Sequence, residues 1–212
     1  MEPKNSITLT KGCLIIFEGI DGTGKSTQLK LLNEALLSKG YDVVTTREPT
    51  NGRFGKKIRE LYINRGNVSR EEELELFIQD REEHVEVFLA PMLSKKKIIL
   101  CDRYYLSTIA YQGAAGMNVR MIEEKNAFAP TPDIALLFQL SPRTSIQRIT
   151  QKRGDELNDF EQEDSLQAVE KIFNSLSYPF IQKIDAEHSV ENIHGSVLNL
   201  VEGYLAGLRE SQ

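Results

Sequence analysis

The sequence predicts an α/β fold of three layers, a five-stranded parallel sheet flanked by helices, on three observations. Short apolar runs alternate along the chain with stretches of helical periodicity, and parallel strands need such crossovers to return to the same edge. The runs are close to continuously apolar, as strands covered on both faces are. A glycine-rich loop stands directly between the first run and the first helical stretch, and sheets of this kind bind ligands beyond the carboxyl ends of their strands.

Residues 13–18 (CLIIFE) form the first expected strand. Leucines at 29, 32 and 36 recur at helical spacing and Gly40 stops them, which predicts a helix over 25–39. Residues 41–46 read as a second strand, 55–63 as a helix, 71–93 as a long helix and 97–101 as a third, buried strand. The acids within 70–75 sit at the start of the long helix, where its dipole favours them. Strands are expected over 133–140 and 181–184, each followed by helical periodicity, the last over 190–208.

The 212 residues, 40% of them hydrophobic, suffice for one large domain, placed at 12–212 behind a flexible tail at 1–11. A formal net charge of -5 argues against a general nucleic-acid or acidic-membrane surface, which needs a basic face. An anionic ligand must then be held by local cations. No stretch approaches the roughly 18 apolar residues of a membrane span, and the first dozen residues carry no apolar leader. A soluble, cytoplasmic protein is expected. Cys13 and Cys101 lie inside apolar runs and read as buried thiols of a reducing compartment. His84, His188 and His194 have no metal-ligand spacing and read as structural or exposed.

Gly19-Ile20-Asp21-Gly22-Thr23-Gly24-Lys25-Ser26 matches the phosphate-binding loop G-x-x-x-x-G-K-[ST] without a gap, between strand and helix as the motif requires. Backbone N–H groups of such a loop surround the phosphates, the helix N-terminus favours anions, and Lys25 reaches the β- and γ-phosphates. This is the signature of a P-loop NTPase fold with a nucleoside triphosphate as donor. Ser26 and Asp102, the latter ending an apolar strand, are the expected Mg2+ positions. Thr27, next along the helix, completes the expected ATP-binding stretch.

The acceptor must be read elsewhere. Thr46-Arg47-Glu48-Pro49, Leu76-Phe77-Ile78-Gln79-Asp80-Arg81, Asp102-Arg103-Tyr104 with Ser107 and Ala110-Tyr111-Gln112-Gly113, and Pro132-Asp133 together resemble the thymidylate kinase family, in order and spacing, from about residue 14 to the last helix. Arginines after two strands can fork onto a monophosphate, and an aromatic with a nearby arginine on a helix can stack on and hydrogen-bond a base. The resemblance implies more: ATP and dTMP as substrates, Arg47 and Arg103 on the dTMP phosphate, Phe77 stacking on thymine, Arg81 on a thymine carbonyl and Asp21 near the sugar 3′-hydroxyl. It also implies Gln112, Ser107 or Thr108 on the remaining base edge and Tyr111 beside the sugar, disfavouring a 2′-hydroxyl.

Two places, residues 50–52 and 158–161, depart from the family's pattern, and a third, Gly22, sets the class within it. Relatives often read T-R-E-P-G-G, whereas Pro49 here is followed by Thr50-Asn51-Gly52. Some carry an arginine after the position of Asp21, where this chain has Gly22. The catalytic arginine is therefore expected from a mobile lid over about 148–163, with Arg153 on the transition-state charge and Arg148 against adenine. Asn158-Asp159-Phe160-Glu161 puts an acid where relatives often have an arginine. The resemblance also implies a homodimer, for which apolar positions 74, 77, 78, 85, 88 and 89 offer a seam, although core packing explains them equally well. Two alternatives stand beside this reading. One is a nucleoside monophosphate kinase with a different base choice, and the other a nucleotide switch, for which Gln182-Lys183-Ile184-Asp185 is only a partial guanine motif.

Overall fold

Five parallel strands lie in the order β2-β3-β1-β4-β5, in a computed structural model that describes residues 7–63, 68–153 and 163–210. The strands are β1 (Cys13–Glu18), β2 (Val43–Arg47), β3 (Ile98–Asp102), β4 (Ile134–Gln139) and β5 (Ile181–Asp185). Around them run α1 (Lys25–Ser38), α2 (Arg53–Ile63), α3 (Arg70–His84), α4 (Ala90–Ser94), α5 (Tyr105–Ala114), α6 (Val119–Lys125), α7 (Pro142–Arg153), α8 (Glu163–Ser175) and α9 (Val190–Ala206). The expected sheet is present, with each strand within two residues of its sequence-derived bounds.

All six residues of β1 are buried, because its two faces meet different layers. Ile15 and Phe17 point into a cluster with Leu32 and Leu36 of α1 and Val197 and Val201 of α9. Leu14 and Ile16 point into the opposite cluster with Leu74 of α3, Ile109 of α5 and Leu166 of α8. Each such side chain contributes about 1.5–3 kcal/mol over leaving it in water. Register then levels the functional edge: Phe17 and Arg47 each pair with Asp102 on either side of β3. The carboxyl ends of β1, β2 and β3 therefore deliver Glu18, Arg47 and Asp102 to one rim.

The predicted long helix is one helical run with a change of pitch. Ser69 and Glu72 close a reciprocal capping box at its start, and a π-helical segment, Val85–Leu89, separates α3 from α4. The pattern behind the predicted seam is partly consumed: Leu74, Ile78 and Leu89 belong to the core. Residues 7–11, expected within a flexible tail, are instead pinned. Ile7 bridges Tyr41, Leu9 bridges Arg209 and is 2% exposed, and the Thr10 N–H bonds the Leu208 carbonyl. Residues 1–6 of that tail lie outside the described residues.

Candidate active site

Residues 19–24 turn from β1 into α1, and Gly19, Gly22 and Gly24 all take positive φ in the turn. Gly22 has φ 77°, and a Cβ there would lie 2.7 Å from the Ser145 carbonyl oxygen on α7. With α7 seated there, the position has no room for a side chain. Gly24, φ 90°, begins α1 in left-handed conformation with open space where a Cβ would be, and that space gives an anion access to the helix N-terminus. Lys25 is 6% exposed and donates to the Ile20 carbonyl at 2.7 Å. Burial first, and Arg103 next, lower its pKa to about 8. Ser26 Oγ donates to Asp102 Oδ2 at 2.6 Å, bringing together the two residues expected at the metal. Thr27 follows on the exposed side of α1.

Beside this loop opens a pocket of about 430 Å3, within the range that small-molecule sites occupy. Every residue expected at the acceptor, namely Asp21, Arg47, Phe77, Arg81, Arg103, Ser107, Thr108, Tyr111 and Gln112, lines it. Arg103 sits on a strained backbone, φ 68°, and spans its mouth: Nη2 donates to Asp21 Oδ1 at 2.7 Å and to Tyr111 Oη at 3.3 Å, and Nη1 to Ser107 Oγ at 3.0 Å. Tyr111 also donates to Asp21 Oδ2 at 3.1 Å. Burial alone would raise the Asp21 pKa, but Arg103 and then Lys25 outweigh it and hold the carboxyl well below the usual range.

At the other end Gln112, 3% exposed, has an Oε1 without a hydrogen-bond partner among the described residues. A buried orphan acceptor facing a pocket suits a ligand that brings an N–H. Arg81 is 1% exposed and mostly engaged by the protein: Nε and Nη2 meet Glu48 Oε2 at 2.9 and 2.6 Å, Nη2 also reaches Thr108 Oγ1 at 3.0 Å, and Nη1 bonds Asn126 Oδ1. Among the described residues, one of its five N–H groups, on Nη1, has no partner. His84, read as structural or exposed, is buried and joins this network, with Nδ1 at 2.9 Å from Glu48 Oε1 and Nε2 at 2.7 Å from Thr46 Oγ1.

The Thr50-Asn51-Gly52 departure keeps Arg47 in place by its own means. Thr50 bonds Asp80 through both N–H and hydroxyl, at 2.8 and 2.6 Å, and Asn51 Oδ1 accepts from Arg47 at 3.0 Å and from Arg59 at 3.4 Å. Arg59 and Tyr62 of α2 and Glu73 of α3 also line the pocket, and sequence reasoning missed all three. Arg59 and Tyr62 share one face of α2 by i, i+3 spacing, a pattern that by itself reads as a solvated helix face, and Glu73 comes from the next helix. Glu18, missed as well, is fully buried at the end of β1, and burial pushes its carboxyl up to about 7 against the hydrogen bonds it accepts.

For the donor side, α7 is seated on the loop: Ser145 Oγ donates to the Asp21 carbonyl, and Ile149 lies 3.2 Å from a Cβ built at Gly22. Arg148 is half-buried on this helix. Arg153 ends the helix, but its side chain and residues 154–162, with the acid at 159, lie outside the described residues.

A phosphate loop on the central strand of a parallel five-stranded sheet, with an acid ending the neighbouring strand and an arginine-rimmed pocket alongside, defines a P-loop phosphotransferase. Residues 17–197 match the family profile described as thymidylate kinase. A thymidylate kinase of Desulfotalea psychrophila is 54% identical over 194 residues, covering 92% of this chain and 96% of that protein. One of Xanthomonas euvesicatoria pv. vesicatoria is 44% identical over 182 residues, covering 86% and 80%, and one of Xylella fastidiosa 40% identical over 190 residues, covering 90% and 87%. The chain belongs to the thymidylate kinase family, and it is a nucleotide-binding transferase of nucleotide biosynthesis.

Proposed function

We propose that the protein transfers the γ-phosphoryl group of ATP to dTMP, giving dTDP and ADP on the route to dTTP. The observation that carries this reading is the polarity of the pocket. Its guanidinium end, Arg47 and Arg103, adjoins the phosphate loop, and its far end presents the orphan Gln112 Oε1 beside Arg81 and Thr108. A pyrimidine with an N–H between two carbonyls fits that far end: the N–H meets Gln112, a carbonyl meets the remaining Nη1 hydrogen of Arg81, and Phe77 stacks on the ring. Asp21 then faces the sugar 3′-hydroxyl, and Tyr111 occupies the side on which a 2′-hydroxyl would project.

Lys25 and the loop amides bind the donor phosphates, and Arg103 neutralises the incoming acceptor phosphate while Asp21 orients it. No general base is required, because the acceptor is already an anion and catalysis is positioning plus charge neutralisation. The oxygen donors of Ser26 and Asp102, 2.6 Å apart, suit a small hard cation; these two residues would hold Mg2+, which would supply charge neutralisation at the phosphates. Arg153 stabilises transferring charge from the lid, and Arg148 packs against adenine.

One folded domain carries these sites; most of the lid expected over 148–163 lies outside the described residues. A cytoplasmic homodimer is the matching state. Both cysteines are buried free thiols, and Val87, 65% exposed on the π-helical segment, leaves an apolar point on the helix proposed as the seam. Sedimentation of the purified protein at micromolar concentration as a 24.0 kDa species would remove the homodimer.

The test of function is ATP consumption with Mg2+ against dTMP, dUMP, dCMP, dGMP, UMP and AMP, with a control lacking acceptor. Strong preference for dTMP is expected. Acceptor-independent hydrolysis, or preference for a purine nucleotide, overturns the reading.

A further inference from the structure

We infer that Glu18 is a positioning residue for phosphoryl transfer: from the end of β1 its carboxylate caps α5 and, through the Ser107 hydroxyl, sets the guanidinium of Arg103. The inference rests on the reading of Arg103 as the residue that receives the acceptor phosphate.

The N-cap of α5, Tyr104, supplies no side-chain cap of its own. Glu18 supplies it from another element: Oε1 accepts the N–H of Tyr104 at 2.8 Å and shares that of Ser107, at 3.2 Å, with the Tyr104 carbonyl at 3.1 Å, so it meets donors at the helix start. Its other oxygen, Oε2, accepts the Ser107 hydroxyl, whose oxygen in turn accepts from Arg103 Nη1 at 3.0 Å. A hydroxyl has one proton. Because that proton is given to Glu18, the lone pairs of Ser107 face Arg103, and the order of donors fixes the direction of the whole relay.

The relay also explains how Arg103 keeps its strained backbone, φ 68°. Residues in that region persist only where their surroundings over-determine them, and Arg103 is held at its N–H by the Phe17 carbonyl, at Nη1 by Ser107 and at Nη2 by Asp21. Phe17 and Glu18 are adjacent, so the end of one strand grips both the backbone and, one residue on, the side chain. Charge agrees: the carboxylate lies among Arg103 and Lys25, two cations that otherwise oppose each other.

Glu18→Gln separates this role from simple filling of space. The amide oxygen satisfies the two backbone donors, which leaves the NH2 facing Ser107. Ser107 must then accept that hydrogen as well as the one from Arg103 and loses the acceptor for its own proton, so the relay loses its direction without a change of volume.

The experiment measures kcat and both KM values, with ATP, Mg2+ and dTMP, for the full-length wild type, Glu18→Gln, Ser107→Ala and the double variant. Glu18→Gln is expected to lower kcat/KM for dTMP roughly ten- to a hundredfold, the scale of a misplaced reacting group, with KM for ATP within about twofold. In the Ser107→Ala background the same change is expected to cost less than about threefold, because the relay is already cut. Equal costs in both backgrounds, an equal loss on the ATP side, or wild-type constants overturn the proposal. Should Glu18→Gln not fold, Glu18→Asp, which withdraws the carboxylate by one methylene, must show the same dTMP-selective loss; if neither folds, Glu18 is structural alone and the proposal falls. A wild type inactive on dTMP is a different failure, that of the proposed function, and if another nucleotide is the acceptor, the same cycle is read with it.

Discussion

Asn51 Oδ1 accepts a hydrogen bond from Arg47 Nη2 at 3.0 Å, so the residue that replaces a family glycine is the one that steadies an arginine of the pocket. A neutral amide holds Arg47 without competing for its charge. Asn51→Asp puts an anion on the same spot and sets it against the dTMP phosphate. The KM for dTMP is expected to rise on the order of tenfold while kcat and the KM for ATP stay within about twofold. An unchanged KM would show that Arg47 releases Asn51 without cost.

Lys25→Ala removes the cation of the loop that reaches the transferring group. Turnover is expected to fall by about a thousandfold or more, the scale set by losing a preorganised charge partner. Single-turnover phosphoryl transfer at saturating ATP is the measurement. Activity within tenfold of wild type would remove the loop from the mechanism.

Gly22→Ala probes the seat of α7 on the phosphate loop. The residue has φ 77°, and its new Cβ would meet the Ser145 carbonyl at 2.7 Å. Backbone of this kind costs a non-glycine residue about 1–3 kcal/mol, which in a chain of this length lowers Tm by roughly 3–10 °C. A calorimetric scan decides, and an unchanged Tm would mean that α7 yields freely.

Arg81→Met leaves Glu48 buried with one partner fewer. Removing one member of a buried pair costs about 3–5 kcal/mol, and urea unfolding should show it. Adding Glu48→Gln to that variant is expected to return part of the loss, because the uncompensated charge goes with it. A loss of equal size in both variants would assign the cost to packing.

Glu18 gives stability an acid-side dependence. Its folded pKa, pushed up to about 7 by burial, lies above the ordinary 4.5, so the folded state binds more protons between these values and stability falls as pH rises through that window. Asp21, shifted the other way, acts only below the ordinary carboxylate range. Tm measured from pH 4.5 to 7 should therefore decline less steeply in Glu18→Gln than in wild type, and parallel curves would refute the assignment.

The sheet and the phosphate loop were legible because their signals are local, whereas the residues that line the pocket, scattered from 21 to 112, were picked out through the family resemblance of their segments. Apolar runs such as CLIIFE declare a strand buried on both faces, and the loop motif is contiguous. Arg59, Tyr62 and Glu73 were not legible, since their approach to the pocket is a product of how α2 and α3 pack, and solvated charges on other helices look the same in one dimension. Glu18 was hidden for a further reason: its partners, Tyr104 and Ser107, lie more than 80 residues away, and a lone acid after an apolar run gives no sign of being enclosed. The pinned residues 7–11 were missed because their neighbours, Tyr41 and the end of the chain, are equally remote.

The burial of Arg81 ties two traits that evolution often adjusts separately. The guanidinium that would read the nucleobase is also the counter-ion of Glu48 and the anchor of Asn126 and Thr108. Any lineage drifting toward another nucleobase through this residue would first pass through poorly folded intermediates, so selection for a sound molecule guards substrate fidelity even where fidelity itself is under little pressure.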